Sequence, residues 1–124
     1  MRFLKCDKCN TILGSVDGDV TTVSCCGELA KELMPNTVDA SQEKHVPVFE
    51  FNNNIVTVTV GSTIHPMTEE HHIAWVAIET EEGFQRKNLQ HTAEPVLVFA
   101  LTQRDRLKSV YAYCNLHGLW RADV

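Results

Sequence analysis

Short apolar segments with the two-residue period of β-strands dominate the chain after residue 46. Residues 54–60 alternate valine with threonine over most of their length, which predicts a strand with one buried face. Residues 73–78 are apolar at every position, which predicts a central strand. Two further segments, residues 96–101 and 109–114, also have strand-like patterns. Because no long stretch has a helical period, the pattern predicts a β-sandwich or small barrel of about 85–90 residues.

The first 34 residues carry few large apolar side chains and cannot enclose much of a core. A unit this small normally needs a metal ion or a cross-link to fold. Leu29 and Leu33 are four residues apart and predict a weak helical turn over residues 28–34. The polar segment 35–42 is expected to be a linker or loop.

Composition and charge narrow the function classes. With 44% hydrophobic and 22% charged residues in 124 positions, the chain is expected to be globular, with one domain or a small one plus a very small one. Its net charge of −5 makes nucleic acid and anionic membranes poor partners. A charge and a cysteine within the first six residues do not resemble a signal peptide, and no apolar run could span a bilayer. We therefore expect a cytoplasmic protein.

Cysteine and histidine are unevenly distributed along the chain. Five cysteines, an odd number without an export signal, argue against a disulfide framework. Four of them lie in the first 26 residues, at Cys6, Cys9, Cys25 and Cys26. The fifth, Cys114, lies far downstream, and all six histidines follow the cysteine cluster. This distribution predicts two separate sites, one all-sulfur and one mostly nitrogen.

The all-sulfur site combines a C-x-x-C knuckle, Cys6 to Cys9, with the adjacent pair Cys25-Cys26. Four thiolates select Zn²⁺ or a single iron ion. A zinc site that only holds the N-terminal residues together is the simplest alternative. A thioredoxin-like redox motif is the other, and it fits poorly because no βαβ pattern surrounds the knuckle.

The second site combines Cys114 and His117, three residues apart in a turn before Gly118, with histidines from other segments. These are His45, His65 and either His71 or His72, each at an expected strand end or turn. Neighbours in an extended chain point to opposite faces, so one metal takes only one of the last two. His91, in a polar stretch, is expected to be an ordinary surface residue.

The donor types of this second site indicate its chemistry. Several neutral imidazoles with one thiolate suit redox-capable iron or copper, and not calcium or magnesium. Five protein ligands leave one octahedral position open, where a small ligand could react.

Together these residues resemble the desulfoferrodoxins, the two-iron superoxide reductase family, over nearly the whole chain. The Cys6-x-x-Cys9 knuckle and the pair Cys25-Cys26 resemble the family's desulforedoxin-type FeCys₄ centre. Its catalytic iron centre is matched by Glu43-Lys44-His45-Val46-Pro47, His65-Pro66-Met67, His71 and Cys114-Asn115-Leu116-His117-Gly118.

The resemblance implies a domain organisation and two cofactors. Residues 1–36 would form a small desulforedoxin-like FeCys₄ domain, and residues 37–124 an immunoglobulin-like β-sandwich with the superoxide reductase centre. The implied cofactors are two non-haem iron ions per chain. The catalytic iron would have four equatorial histidines, His45, His65, His71 and His117, with Cys114 as the axial ligand.

The resemblance also implies a reaction and partners. Superoxide would be reduced by one electron to hydrogen peroxide, with electrons from an external rubredoxin-like donor, and the protein would be a homodimer. Lys44, next to His45, is expected to attract superoxide and to orient water for protonation. Glu43 resembles the carboxylate that occupies the sixth position in the ferric resting state.

The chain departs from the family pattern at two points. His72 stands where the family usually has tryptophan, and Leu29-Ala30 replaces Pro-Met after the adjacent cysteines. Three other function classes stay open from the sequence: an electron-transfer protein with two coordinatively closed irons, a zinc-stabilised binding module, and a dismutase.

Overall fold

The computed structural model describes residues 1–124 and contains twelve β-strands and one short helix. The chain divides into two units, Met1–Met34 and Pro35–Val124. Both are built from strands, so the predicted all-β fold class is confirmed. The helix has four residues, far fewer than a membrane crossing requires.

Five short strands in two antiparallel sheets form the N-terminal unit. They are β1 (Arg2–Lys5), β2 (Ile12–Ser15), β3 (Ser24–Cys25), β4 (Glu28–Leu29) and β5 (Lys31–Glu32). The first sheet has the order β2-β1-β5, and the second pairs β3 with β4. Only Phe3, Leu4 and Cys6 are buried among its apolar side chains, so its core is very small.

The helical turn predicted for residues 28–34 is wrong. That segment holds β4 and β5, which pair with β3 and β1. Leu29 is 63% exposed, so it forms no buried stripe with Leu33. A single isolated helical turn is unstable in water, and strand pairing satisfies the same backbone groups.

Residues 35–124 form a sandwich of two antiparallel sheets, preceded by helix α1 (Gln42–His45). The strands are β6 (Pro47–Asn52), β7 (Ile55–Val60), β8 (Ile73–Thr80), β9 (Phe84–Asn88), β10 (Val96–Ala100), β11 (Leu107–Cys114) and β12 (Gly118–Asp123). The sheets have the orders β10-β7-β6 and β12-β11-β8-β9. Seven strands in two sheets match the expected immunoglobulin-like sandwich.

The core lies between the two sheets. Val56, Val58 and Val60 have no exposed surface, which confirms the predicted buried face of β7. Strand β8 lies between β11 and β9, as its apolar pattern predicts. Strands β9 and β12 were not predicted, because both are edge strands without clear alternation. Helix α1 is a single turn and ends before Pro47, whose ring disfavours helical backbone at Val46.

Strand pairing brings several chain connections to one end of the sandwich. Pro47 at the start of β6 pairs with Val60 at the end of β7. Cys114 at the end of β11 pairs with Ile73 at the start of β8 and with Gly118 at the start of β12. Segments before β6, after β7, before β8 and between β11 and β12 therefore leave from neighbouring strand ends.

Candidate metal centres

The four N-terminal cysteines form one cluster of free thiols, with sulfur atoms within 4.8 Å of one another. Cys25 Sγ lies 3.6 Å from Cys9 Sγ and 4.0 Å from Cys26 Sγ. A tetrahedral ion with metal–sulfur bonds of about 2.3 Å would hold its sulfurs about 3.8 Å apart. The cluster therefore has the dimensions of a four-thiolate metal site.

Two turns that contain residues in the left-handed backbone conformation orient these sulfur atoms. After Cys6, Asn10 has a φ of 61°, and its N–H donates to the Cys6 carbonyl at 2.9 Å. Cys26 and Gly27 have φ values of 52° and 76° and join β3 to β4, as in a type I′ hairpin turn. The positive φ at Cys26 breaks the strand alternation, so the adjacent cysteines reach the same cluster.

The cysteine thiols compete for protons. The Thr11 hydroxyl, 3.0 Å from Cys9 Sγ, lowers the pKa of Cys9 to about 6. Hydrogen bonding with Cys6 and Cys9 raises the pKa of Cys25 to about 12. Four neighbouring thiolates repel one another, so a bound cation is what would hold all four ionised.

Four histidines form a ring at the strand ends of the sandwich. The adjacent pairs are His45/His65, His65/His71, His71/His117 and His117/His45, with ring centroids 4.6–5.0 Å apart and planes crossing at 79–84°. The opposed pair, His45 and His71, is separated by 6.2 Å. These sides and this diagonal describe a square, so the four imidazoles surround one common centre.

Backbone carbonyls fix which nitrogen of two rings faces the centre. His45 Nδ1 lies 2.6 Å from the Ser41 carbonyl oxygen, and His65 Nδ1 lies 2.7 Å from that of Pro66. A carbonyl only accepts, so Nδ1 of each ring is the protonated nitrogen. The two Nε2 atoms lie 3.1 Å apart and carry unshared electron pairs.

The other two imidazoles also direct a nitrogen to the centre. His117 presents Nδ1, which lies 3.0 Å from His45 Nε2. His71 Nε2 is buried and has no hydrogen-bond partner. Buried polar atoms without partners are rare, and unprotonated nitrogens so close together repel. One metal ion at the centre would satisfy these nitrogens together, so the donor set fits a metal.

Cys114 supplies a fifth donor atom to the same group. Its Sγ lies within 4.8 Å of the donor nitrogens of His45, His65 and His71, and 3.8 Å from His117 Nδ1. Burial raises the pKa of Cys114, whereas hydrogen bonds from the backbone N–H groups of His117 and Leu116 lower it. These N–H groups stabilise the thiolate that a metal requires.

Burial also sets the charge state of the histidines. It lowers the pKa of His45 and His71, and it lowers the pKa of His65 to about 4. The neutral imidazole is the metal-binding form. Neutral imidazoles and one thiolate are typical ligands of iron and copper, and oxygen ligands, which calcium and magnesium require, are absent from the group.

Glu43 and Lys44 lie on α1, are exposed, and immediately precede His45. The charge of Lys44 contributes to the lowered pKa of both His45 and His71, so it acts on the histidine ring. Hydrogen bonding with its own backbone N–H and with Ser41 lowers the pKa of Glu43. The structure thus brings the Lys44 charge near the histidine ring.

Of the two adjacent histidines, the structure brings His71 into the ring and leaves His72 outside it. His72 Nδ1 instead donates to the Thr68 carbonyl at 2.9 Å. A short turn closed by Thr68 places His71 in the ring. The His71 N–H donates to the Thr68 hydroxyl at 3.0 Å, and the Thr68 N–H donates to the His71 carbonyl at 2.9 Å. His91 is also outside the ring and exposed.

No sequence signal marks two residues that hold the ligands in place. A Cβ atom on Gly61 would lie 2.7 Å from the Glu43 carbonyl oxygen, so only glycine lets α1 close on the loop after β7. Trp120 stacks on His45 with ring centroids 4.8 Å apart, and its Nε1–H donates to the His117 carbonyl at 3.2 Å. The contacts of Gly61 with Glu43 and of Trp120 with His45 join separate segments of the chain, so local patterns could not reveal them.

Known proteins resemble this chain in sequence and structure. Residues 37–123 match the Desulfoferrodoxin family. The desulfoferrodoxin homolog of Archaeoglobus fulgidus is 40% identical over 122 residues, which cover 98% of this chain and 96% of that protein. The superoxide reductase of Thermococcus kodakarensis is 36% identical over 103 residues, covering 69% and 90%. The crystal structure of the superoxide reductase from Treponema pallidum has a TM-score of 0.83 at 40% identity, covering 97% of this chain and 98% of that one.

Proposed function

Because this chain belongs to the desulfoferrodoxin family, we propose that it is a superoxide reductase that converts superoxide to hydrogen peroxide. The observation that carries this conclusion is the square of four imidazoles with the buried Cys114 sulfur beside it. Ferrous iron bound there supplies one electron, and the overall reaction joins one superoxide, one electron and two protons into one hydrogen peroxide.

The chain's own donor atoms would hold two iron ions. The first site consists of Cys6, Cys9, Cys25 and Cys26, and the second of His45, His65, His71, Cys114 and His117. We assign residues 1–36 to a desulforedoxin-like domain and residues 37–124 to the reductase domain. The unit division after Met34 and the family match from residue 37 support this assignment.

Lys44 is the residue that attracts the substrate in this proposal. Superoxide is an anion and meets a protein of net charge −5. At physiological salt, charges farther than about 8 Å are largely screened, so one nearby cation outweighs the distant carboxylates. Lys44 is exposed and its charge reaches His45 and His71. Its ammonium group can also hold the water that delivers protons.

Glu43 is the carboxylate that we assign to the oxidised resting state. Its place beside Lys44 and His45 on α1 supports this role. The assignment requires the carboxylate to leave its hydrogen bonds with Ser41 and its own N–H, which currently hold it.

A rubredoxin-like protein is the electron donor that the family resemblance supports. Cys9 and Cys26 are exposed, which gives the first iron site an edge that a donor can approach. The family resemblance also supports a homodimer, which light scattering of the iron-loaded protein would test. Five free cysteines suit the reducing cytoplasm.

Measurement of hydrogen peroxide and oxygen after a superoxide pulse tests the function. The reduced, iron-loaded protein should form hydrogen peroxide, release no oxygen and consume reductant. Oxygen release without reductant would identify a dismutase instead. Two redox-active irons that react slowly with superoxide would favour an electron-transfer protein. A colourless zinc protein that stays silent after reconstitution with ferrous iron would favour a binding module.

Replacement of Lys44 by alanine tests the attraction of superoxide. We expect the second-order rate constant for superoxide to fall about tenfold, because the positive charge that acts on His45 and His71 is lost. The iron content should not change, since Lys44 is no ligand. Lys108→Ala removes the same charge from an exposed position on β11 and should have little effect. Equal rate constants for Lys44→Ala and the parent protein would refute the role of Lys44.

A further inference from the structure

His72 and His91 form a second histidine pair outside the ring of four. Their ring centroids are 6.0 Å apart, with planes tilted by 44°. In the ring of four, the opposed imidazoles of His45 and His71 are 6.2 Å apart. The ring centroids of His72 and His91 are thus about as far apart as those of the opposed imidazoles in the ring of four.

The His72 ring is held in the form that binds a metal. Its Nδ1 lies 2.9 Å from the Thr68 carbonyl and 3.1 Å from the Glu69 carbonyl, so Nδ1 donates and Nε2 keeps its electron pair. A carbonyl on the far nitrogen is the usual support of metal-binding histidines. The His72 N–H also donates to Asn115 Oδ1 at 2.9 Å, and the Asn115 N–H donates to the His72 carbonyl at 3.1 Å. The backbone that carries this ring is therefore fixed on both sides.

His91 can complete the pair without losing another contact. It lies in a turn in which the Ala93 N–H donates to the Gln90 carbonyl at 2.9 Å. The His91 side chain is exposed and its ring nitrogens have no hydrogen-bond partner, so only water competes for them. Glu69 and Glu94 are exposed and stand three positions from His72 and His91 in the sequence, respectively.

We propose that His72 and His91 bind one borderline divalent cation, such as Ni²⁺, Zn²⁺ or Cu²⁺, at a surface site separate from both iron groups. Two imidazole nitrogens come from the protein, and water completes the coordination. Hard cations such as Mg²⁺ prefer oxygen ligands and are not expected to bind there. This site does not depend on the proposed reaction with superoxide.

Calorimetric titration of the iron-loaded protein with Ni²⁺ tests the site. Ni²⁺ is suitable because it does not oxidise ferrous iron. We expect one equivalent of Ni²⁺ to bind while the iron content, measured before and after, stays constant. His72→Gln and His91→Gln should each weaken binding by more than about tenfold. Because His91 lies in an exposed turn, His91→Gln should leave the fold intact. A loss of Ni²⁺ affinity in this variant therefore reports on the site itself. Glu94→Gln removes a charge three positions from His91 but no imidazole, and should keep most of the affinity.

Several outcomes would overturn the proposal. The parent protein could bind Ni²⁺ only in exchange for its iron. It could also bind Mg²⁺ as tightly as Ni²⁺. Either histidine variant could keep the parent affinity, which would exclude a site shared by both rings. An equal loss in Glu94→Gln would show that general negative charge, and not the imidazole pair, attracts the cation.

Discussion

The two groups of metal ligands are assembled in opposite ways. The cysteine group uses positions 6 to 26 and depends on two local turns, and two of its cysteines are exposed. The histidine group joins segments up to 72 positions apart, and His45, His65 and Cys114 are at most 2% exposed. The first group thus needs only short-range structure, whereas the second needs the completed sandwich.

This difference separates what each metal does for the fold. The N-terminal unit buries only three apolar residues, so little besides a bound ion can hold it together. The sandwich has its own core between the sheets, which contains no metal ligand except Cys114. We therefore expect metal loss to unfold the first unit and to leave the second folded.

Removal of both metals should produce the largest effect. Structural metal sites in small domains contribute about 10–16 kcal/mol of binding free energy, which far exceeds what this small core can supply. In the chelated protein, the amides of residues 1–34 should exchange with deuterium at nearly unprotected rates, while those of β7, β8 and β11 stay protected. Cys6→Ser should give the same pattern without chelation.

A matched variant in the other group sharpens this contrast. His71→Gln should lose the second iron, because it removes the unpartnered nitrogen of the ring. Its strands should remain protected from exchange throughout the sandwich. Protection of residues 1–34 in the metal-free protein would contradict the proposed difference between the two groups.

The same contrast explains how far the sequence predicts the structure. The cysteine cluster can be recognised locally because a C-x-x-C knuckle and an adjacent pair are short motifs. Alternation also predicts β7, whose buried face follows a period of two, and the unbroken apolar run predicts β8, which is buried at most positions. The choice of His71 over His72 depends on the hydrogen bonds of Thr68, which no periodicity encodes. The contacts of Gly61 with α1 and of Trp120 with His45 come from the tertiary fold and leave no local pattern.

The next largest effect is expected from Gly61→Ala. The added Cβ would meet the Glu43 carbonyl at 2.7 Å and the Val46 carbonyl at 2.9 Å, so α1 must move. Such overpacking typically costs about 1–3 kcal/mol of unfolding free energy. Because α1 carries Lys44 and His45, superoxide reduction should slow as well.

Gly83→Ala is the control for this prediction. A Cβ at Gly83 meets nothing within 4 Å, so stability and rate should change little. Urea unfolding and stopped-flow kinetics of both variants measure the two effects. Equal behaviour of Gly61→Ala and Gly83→Ala would show that the contact with α1 does not position the site.

Acidification should destabilise the iron-free sandwich by a smaller amount. Burial lowers the pKa of His65 to about 4 in the folded protein, whereas an exposed histidine has a pKa of about 6.5. Between these values the unfolded chain binds more protons, so stability falls as the pH falls from about 6.5 to about 4. Urea unfolding followed by tryptophan fluorescence, at pH 7 and pH 5, measures this loss. His65→Gln should flatten the dependence, and an equally steep dependence in that variant would exclude His65 as its cause.

The smallest effect is expected from Trp120→Phe, which tests whether the fold itself holds the ligands. Phenylalanine keeps an aromatic ring against His45 but removes the Nε1–H that donates to the His117 carbonyl. Loss of one such hydrogen bond costs about 0.5–1.5 kcal/mol. Iron affinity at the histidine group should fall accordingly, while iron in the cysteine group stays unchanged.

Trp75→Phe provides the comparison, because it makes the same substitution at a tryptophan that stacks on Tyr113, with ring centroids 5.4 Å apart. Competition with a chelator, with iron counted at each group by its absorption, separates the two variants. If both variants lost the same iron, Trp120 would act only through general packing of the sandwich. If only Trp120→Phe weakens the histidine group, the hydrogen bond from Trp120 to the His117 carbonyl helps to hold this ligand in its metal-binding position.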